Sequence, residues 1–138
     1  MATERQLVCL TILSYRRAEI SEQSYRDYML NTHAPLVGKL LEKYGVLQWT
    51  MSHNTSMTRP MTDALHDEQF IYTADYHSVV QFVLPDIECF AKMQEDPFYV
   101  DNIKPDHERF ADTEKSKFMV GYYTKLMEDG QFLWPVAG

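Results

Sequence analysis

Five histidines, whose side chains titrate closest to neutral pH, are spread along the chain as His33, His53, His66, His77 and His107. An imidazole at the edge of a cavity can accept or donate a proton during a reaction at little energetic cost, which is the work of a general acid or base. His33 has the most suggestive setting. In Asn31-Thr32-His33-Ala34-Pro35-Leu36 it follows Met29 by four residues and precedes Val37 by four. That spacing puts it at the edge of a helix's apolar face, looking toward whatever the helix packs against. Two roles are open to it: a proton-transfer group, or a buried donor for the carbonyls that Pro35 leaves without partners. His53 shares a strand face with Trp49 and Met51, so alternation aims it either into the same cavity or at the strand's surface end. His107 follows Asp106, a carboxylate that either orients the ring or caps a helix. His77 can face either side of a sheet, and His66, among polar loop residues, is expected to face water. Arg59 offers a guanidinium fork suited to a substrate carboxylate, though an arginine that merely faces water has the same appearance in sequence.

Other chemistries lack their signatures. The chain has no Gly-rich phosphate loop, no Cys-x-x-Cys pair, no His-Glu-x-x-His and no Gly-x-Ser-x-Gly elbow. The histidines lie too far apart in sequence to mark a metal centre, so no metal site is expected. A net charge of -7 and a pI near 5.1 oppose the phosphate neutralisation that nucleic-acid binding requires. The longest apolar stretches, Leu7 to Leu13 and Val79 to Leu84, fall far short of the roughly 20 residues of a membrane-spanning helix. With no basic-then-apolar leader pattern at the N-terminus, the chain is expected in the cytoplasm, away from membranes. Cys9 and Cys89 have apolar neighbours and are expected to be reduced core residues. Eight methionines, nine tyrosines, seven phenylalanines and two tryptophans are enough to fill a core or to line an adaptable apolar cavity.

The elements that must position these residues can be traced in order. Leu7 to Tyr15 is apolar on both faces, as in a central strand covered on each side. Ser21 offers an N-cap, and Tyr25, Tyr28, Met29, Thr32, Leu36, Val37, Leu40 and Leu41 recur at helical spacing up to Tyr44, with Gly45 as the stop. Pro35 is expected to kink or restart this helix. Val46 to Asn54 alternates as a second strand, and residues 55–75 read as a long loop of the kind that often forms lids or binding segments. Tyr76 to Val83 is the third strand. Pro85-Asp86 opens a helix through Gln94, Asp96-Pro97 opens another to Ile103, and Pro105-Asp106 opens a further helical turn to Ala111. Lys117 to Leu126 is the fourth strand, followed from about residue 128 by a tail ending in Leu133-Trp134-Pro135. The order β-α-β-β-α-β predicts a ferredoxin-like α+β domain spanning 1–138, with an antiparallel four-stranded sheet and helices on one face. Apolar residues on both faces of the first and third strands predict a second sheet against the other face, hence a homodimer.

Several runs resemble the EthD-like family: Tyr15-Arg16-Arg17 through Tyr25-Arg26-Asp27-Tyr28, then Thr32-His33-Ala34-Pro35-Leu36-Val37. The similarity continues through Met51-Ser52-His53-Asn54, Arg59-Pro60, Asp96-Pro97, Pro105-Asp106-His107 and Phe110-Ala111-Asp112. Residues 61–73 resemble it least. The resemblance is to the fungal polyketide-tailoring branch. It implies a dimeric α+β barrel, no organic cofactor and an aromatic polyketide as substrate. The activity implied first is decarboxylation of a polycyclic aromatic carboxylic acid to an anthrone-like product, with His33 as general acid. His53 or His107 would position a phenol or carbonyl and Arg59 would bind the carboxylate. Tyr28, Trp49 and Met51 would hold the rings, with His77 a further substrate-binding candidate. Cyclisation with loss of water, cofactor-independent oxygenation of an anthrone and non-catalytic polyketide binding are the alternatives on the same scaffold.

Overall fold

The alternation of the first strand sorts its side chains onto two surfaces. In a computed structural model, which describes residues 6–134, β1 (Leu7–Ser14) turns Val8, Leu10, Ile12 and Ser14 toward the helices and Leu7, Cys9, Thr11 and Leu13 away from them. β1 pairs antiparallel with β3 (Ser78–Leu84), Leu10 opposite Phe82, and with β4 (Lys117–Tyr123), Leu10 opposite Val120. β2 (Gln48–His53) pairs antiparallel with β3, and the sheet order is β2-β3-β1-β4. The fold is the expected α+β ferredoxin-like arrangement, with its helical layer on one face of a four-stranded antiparallel sheet. Between the layers lie Leu10, Val80 and Phe82 from the sheet and Tyr25, Met29, Val37, Phe90, Met93 and Ile103 from the helices, all buried.

Ser21 caps α1 (Glu22–Tyr28) as expected, its hydroxyl accepting from the Ser24 N–H at 3.1 Å. Pro35, expected to kink or restart the helix, is absorbed in a different way. Met29–His33 forms a π-helical turn in which the Ala34 N–H donates to the Met29 carbonyl, and α2 (Ala34–Lys43) continues with Pro35 in its first turn. One extra residue in the turn gives the carbonyls donors five residues on and relieves the clash with the proline ring. Gly45 ends the run at φ 82°, a left-handed conformation that glycine adopts without strain.

The second helical half repeats the device. Asp86 caps α3 (Ile87–Glu95). A second π-helical turn, Tyr99–Ile103, then leads into α4 (Lys104–Phe110), with the Lys104 N–H donating to the Tyr99 carbonyl just ahead of Pro105.

Several local details differ from expectation. The long loop after β2 contains a short 3-10 helix, Arg59–Leu65, and β3 begins at Ser78 rather than Tyr76. β4 stops at Tyr123, and the tail folds back as a hairpin of β5 (Met127–Glu128) and β6 (Gln131–Phe132). Asp129 at φ 51° and Gly130 at φ 80° supply the tight turn, an Asp-Gly signal present in the sequence. The cysteines are half-buried rather than core: Cys9 lies on the helix-free face and Cys89 at the core's edge. Pro135 lies outside the described residues.

Candidate functional site

The two π-helical turns converge on one cavity. Lying between the helical layer and the sheet, it has a volume of about 420 Å³ and is walled by apolar side chains, with His33 and His107 among its few polar groups. His33 ends the first π-helical turn and is 6% exposed. Its Nδ1 lies 2.8 Å from Oδ2 of Asp106, a residue only 1% exposed. On the other carboxylate oxygen, Oδ1, Asp106 accepts from the Tyr28 hydroxyl at 2.5 Å and from the Arg109 guanidinium at 3.2 Å. His107 stacks obliquely on His33 at 5.1 Å between ring centroids, and Phe110 packs on His33 at 4.8 Å.

These contacts assign protons. Burial works to raise the Asp106 pKa, but the hydrogen bonds from Tyr28 and His33, with the charge of Arg109, outweigh it and hold the carboxyl below its ordinary value. An ionised carboxylate only accepts, so the proton between the two groups belongs to His33 Nδ1. Burial lowers the His33 pKa, and the bond to Asp106 opposes this only in part. His33 is therefore neutral at pH 7 and carries its lone pair on Nε2, which has no protein partner among the described residues. Burial, reinforced by the neighbouring His33, pushes His107 down to about 4, so it too is neutral.

The structure distributes the other predicted residues over two regions. Trp49 and Met51 line the His33 cavity, as alternation along β2 implied, and Met29 lines it from the first π-helical turn. His53 shares their face but lies behind Met29, its Nε2 3.4 Å from Met29 Sδ and its ring edge-on to Tyr25. Tyr28 stands behind the cavity wall, on Asp106 and against Phe110. Arg59 and His77 are elsewhere. Both line a separate polar hollow, where Arg59 Nη2 pairs with Glu22 at 2.8 Å and His77 Nδ1 accepts from the Arg16 N–H at 2.9 Å. Asp106, considered in sequence as an orienter of His107 or a cap, does neither; no side-chain cap precedes α4, and the carboxylate serves His33. Consecutive residues on a helix point about 100° apart, so Asp106 and His107 cannot easily address each other. Arg109 was missed because an exposed arginine three residues after an aspartate on a helix looks in sequence like any surface ion pair; only the burial of Asp106 sets this one apart.

A model of the EthD domain matches residues 17–114, a span that contains the His33–Asp106 pair, both π-helical turns and two of the sheet's strands, β2 and β3. The chain belongs to the EthD domain family. It is similar, at 49% identity over 131 residues, to a protein of Ustilaginoidea virens named dehydratase ustZ, with 95% of this chain and 94% of that one covered. A protein of Paecilomyces divaricatus named decarboxylase AgnL1 is 43% identical, with 91% of this chain and 85% of that one covered. Among solved structures, an EthD family protein from Bacillus halodurans aligns with a TM-score of 0.55 at 16% identity, covering 86% of this chain and 99% of that one. At that identity the likeness establishes the fold alone. The EthD domain thus presents a neutral, carboxylate-oriented histidine to an apolar cavity, an arrangement suited to taking a proton from carbon.

Proposed function

We propose that this EthD domain is a cofactor-free lyase that removes water from a β-hydroxy carbonyl unit of an aromatic polyketide, with His33 as the base. The observation that carries this reading is the Nδ1 bond to buried Asp106, which leaves the His33 Nε2 lone pair for the cavity. Nε2 takes the proton from the carbon next to the carbonyl, giving an enolate. The enolate expels the β-hydroxyl as its C–O bond breaks, and the proton held by His33 goes out with it as water. A carbon–carbon double bond is left, and neutral His33 is restored. Asp106 stabilises the transient imidazolium, as a carboxylate does for a catalytic histidine elsewhere. His107, also neutral, offers an N–H for the carbonyl oxygen as negative charge develops there, a role open to an imidazole kept uncharged by its site. Met29, Trp49, Met51 and Phe110 enclose the flat ring system.

Loss of carbon dioxide from a polyketide acid is the second reading, favoured by the relative named a decarboxylase. It would need His33 to arrive protonated as the acid, the form that burial opposes, so dehydration comes first. We further propose that the helix-free face, with Leu7, Cys9, Leu13 and Met119 among its side chains, packs against a second copy. Mass balance tests the reaction. Purified protein incubated with a β-hydroxy ketone polyketide and with the matching polyketide acid should form the dehydrated product without releasing carbon dioxide. Carbon dioxide release with no loss of water would overturn the proposal in favour of decarboxylation.

A further inference from the structure

Arg59 and His77 belong to a hollow that the His33 cavity does not account for. About 810 Å³ in volume, it opens between the end of β1, the start of α1 and the loop after β2. Its charges do not cancel. Glu22 is taken up by Arg59 at 2.8 Å and by the Ser56 N–H at 3.0 Å, and Asp75 accepts from the Tyr15 hydroxyl at 2.6 Å. Arg16 and Lys115 line the same hollow, and among the described residues neither meets a carboxylate. Lys115 Nζ stands 4.2 Å over the Tyr15 ring. Arg16 donates through Nη1 to the Ile20 carbonyl at 2.6 Å, while its Nε is buried with no hydrogen-bond partner. Such orphaned donors are unusual in folded proteins.

His77 adds a directed donor. Its Nδ1 accepts the Arg16 N–H, so the ring proton sits on Nε2. Burial, and after it the charge of Arg16, keep the ring neutral, in a hollow where Arg16, Arg59 and Lys115 outnumber Glu22 and Asp75 although the chain's net charge is -7. Tyr15, Phe70 and Tyr72 supply flat apolar surface along the walls and rim.

We propose that this hollow binds a carboxylate carried on a flat aromatic body. The Arg16 guanidinium, Lys115 and His77 Nε2–H take the carboxylate, and Tyr15, Phe70 and Tyr72 take the ring. The site is distinct from the reacting cavity: Ser14 lines that cavity, whereas its neighbour Tyr15 lines the hollow. Binding here therefore does not depend on which reaction His33 performs.

NMR titration of the full-length chain tests the proposal with 2-naphthoate, its neutral isostere 2-naphthamide and inorganic phosphate. 2-Naphthoate should shift the signals of His77 and Lys115 in a saturable way and leave those of His33 and His107 in place. Because a charge-assisted contact is lost, 2-naphthamide and the Lys115→Met variant should each weaken binding about tenfold. Lys115→Arg should restore it, and His33→Gln should leave it unchanged. Equal binding of naphthoate and naphthamide, or shifts confined to His33 and His107, would overturn the proposal. Displacement of naphthoate by phosphate at matched concentration would also overturn it, marking a simple inorganic-anion site.

Discussion

Buried beneath His33, with two donors on its far oxygen, the Asp106 carboxylate decides which imidazole nitrogen keeps the proton. Were it less well supported, burial would favour its protonated form, and the His33 proton would move to Nε2, turning a base toward the cavity into a donor. Tyr28 and Arg109 are thus positioning residues. Nitrogen-15 NMR of the histidine rings should show the Nδ1–H form of His33 near neutral pH. In the Tyr28→Phe/Arg109→Met double variant a share should move to the Nε2–H form, and an unchanged tautomer would remove their role. Asp106→Asn should lower turnover by about 10² to 10⁴, the range over which an unoriented histidine loses its acid–base contribution, while the fold persists. Activity should also fall as pH drops through the His33 pKa, on the acid side of the ordinary histidine value of 6.5, because the base must be unprotonated. A midpoint above 6.5 in the profile of kcat/KM would contradict a buried base. Of this group, His33 was legible in sequence through its place on an apolar helical face. Its partner was not, because the pairing joins residues 73 positions apart and a neighbour in sequence, His107, competes for the same carboxylate on paper.

At the scale of elements, the two π-helical turns hold the site together. Each lies just ahead of a proline, and together they bring His33 from one helical run against Asp106 and His107 from the other. The widened turn sets the rotation of every side chain that follows it, so it fixes where His33 points relative to α2. Pro35→Ala restores an amide donor and removes the reason for the extra residue. It should allow the turn to tighten toward regular α-helix and rotate His33 away from Asp106, lowering activity at least about tenfold by the loss of alignment. Full activity in a folded variant would show that the turn does not position the base. The elements were largely readable from hydrophobic period and caps: Ser21, Asp86 and Gly45 all act where the sequence placed them. The π-helical turns were not readable, because proline announces a break but not how neighbouring carbonyls find other donors. The loop after β2 was legible as a loop. Arg59 was nevertheless tied by Glu22 into the polar hollow, an outcome set by tertiary charge pairing rather than by local pattern.

For the molecule as a whole, an apolar cavity holding neutral histidines ties stability to pH. The folded pKa of His107 is depressed from 6.5 to about 4, so the unfolded chain binds more protons as pH falls. The stabilisation from keeping it neutral is present above 6.5 and is lost as pH drops toward about 4. The urea midpoint should therefore fall between about pH 7 and about pH 5, and His107→Phe should flatten that decline; a slope unchanged in the variant would assign it to other groups. Light scattering should give the mass of a dimer, and a monomer would remove the proposed sheet-to-sheet contact. The strands' two apolar faces made that contact an expectation from sequence, whereas the division between a reacting cavity and a cationic hollow required the folded chain. The central claim is that His33 takes a proton from carbon in the cavity. Turnover of a β-hydroxy ketone polyketide by His33→Gln tests it most directly, with circular dichroism confirming the fold. The account predicts that water loss slows by about 10² to 10⁴ while substrate still binds; dehydration at the wild-type rate would contradict it.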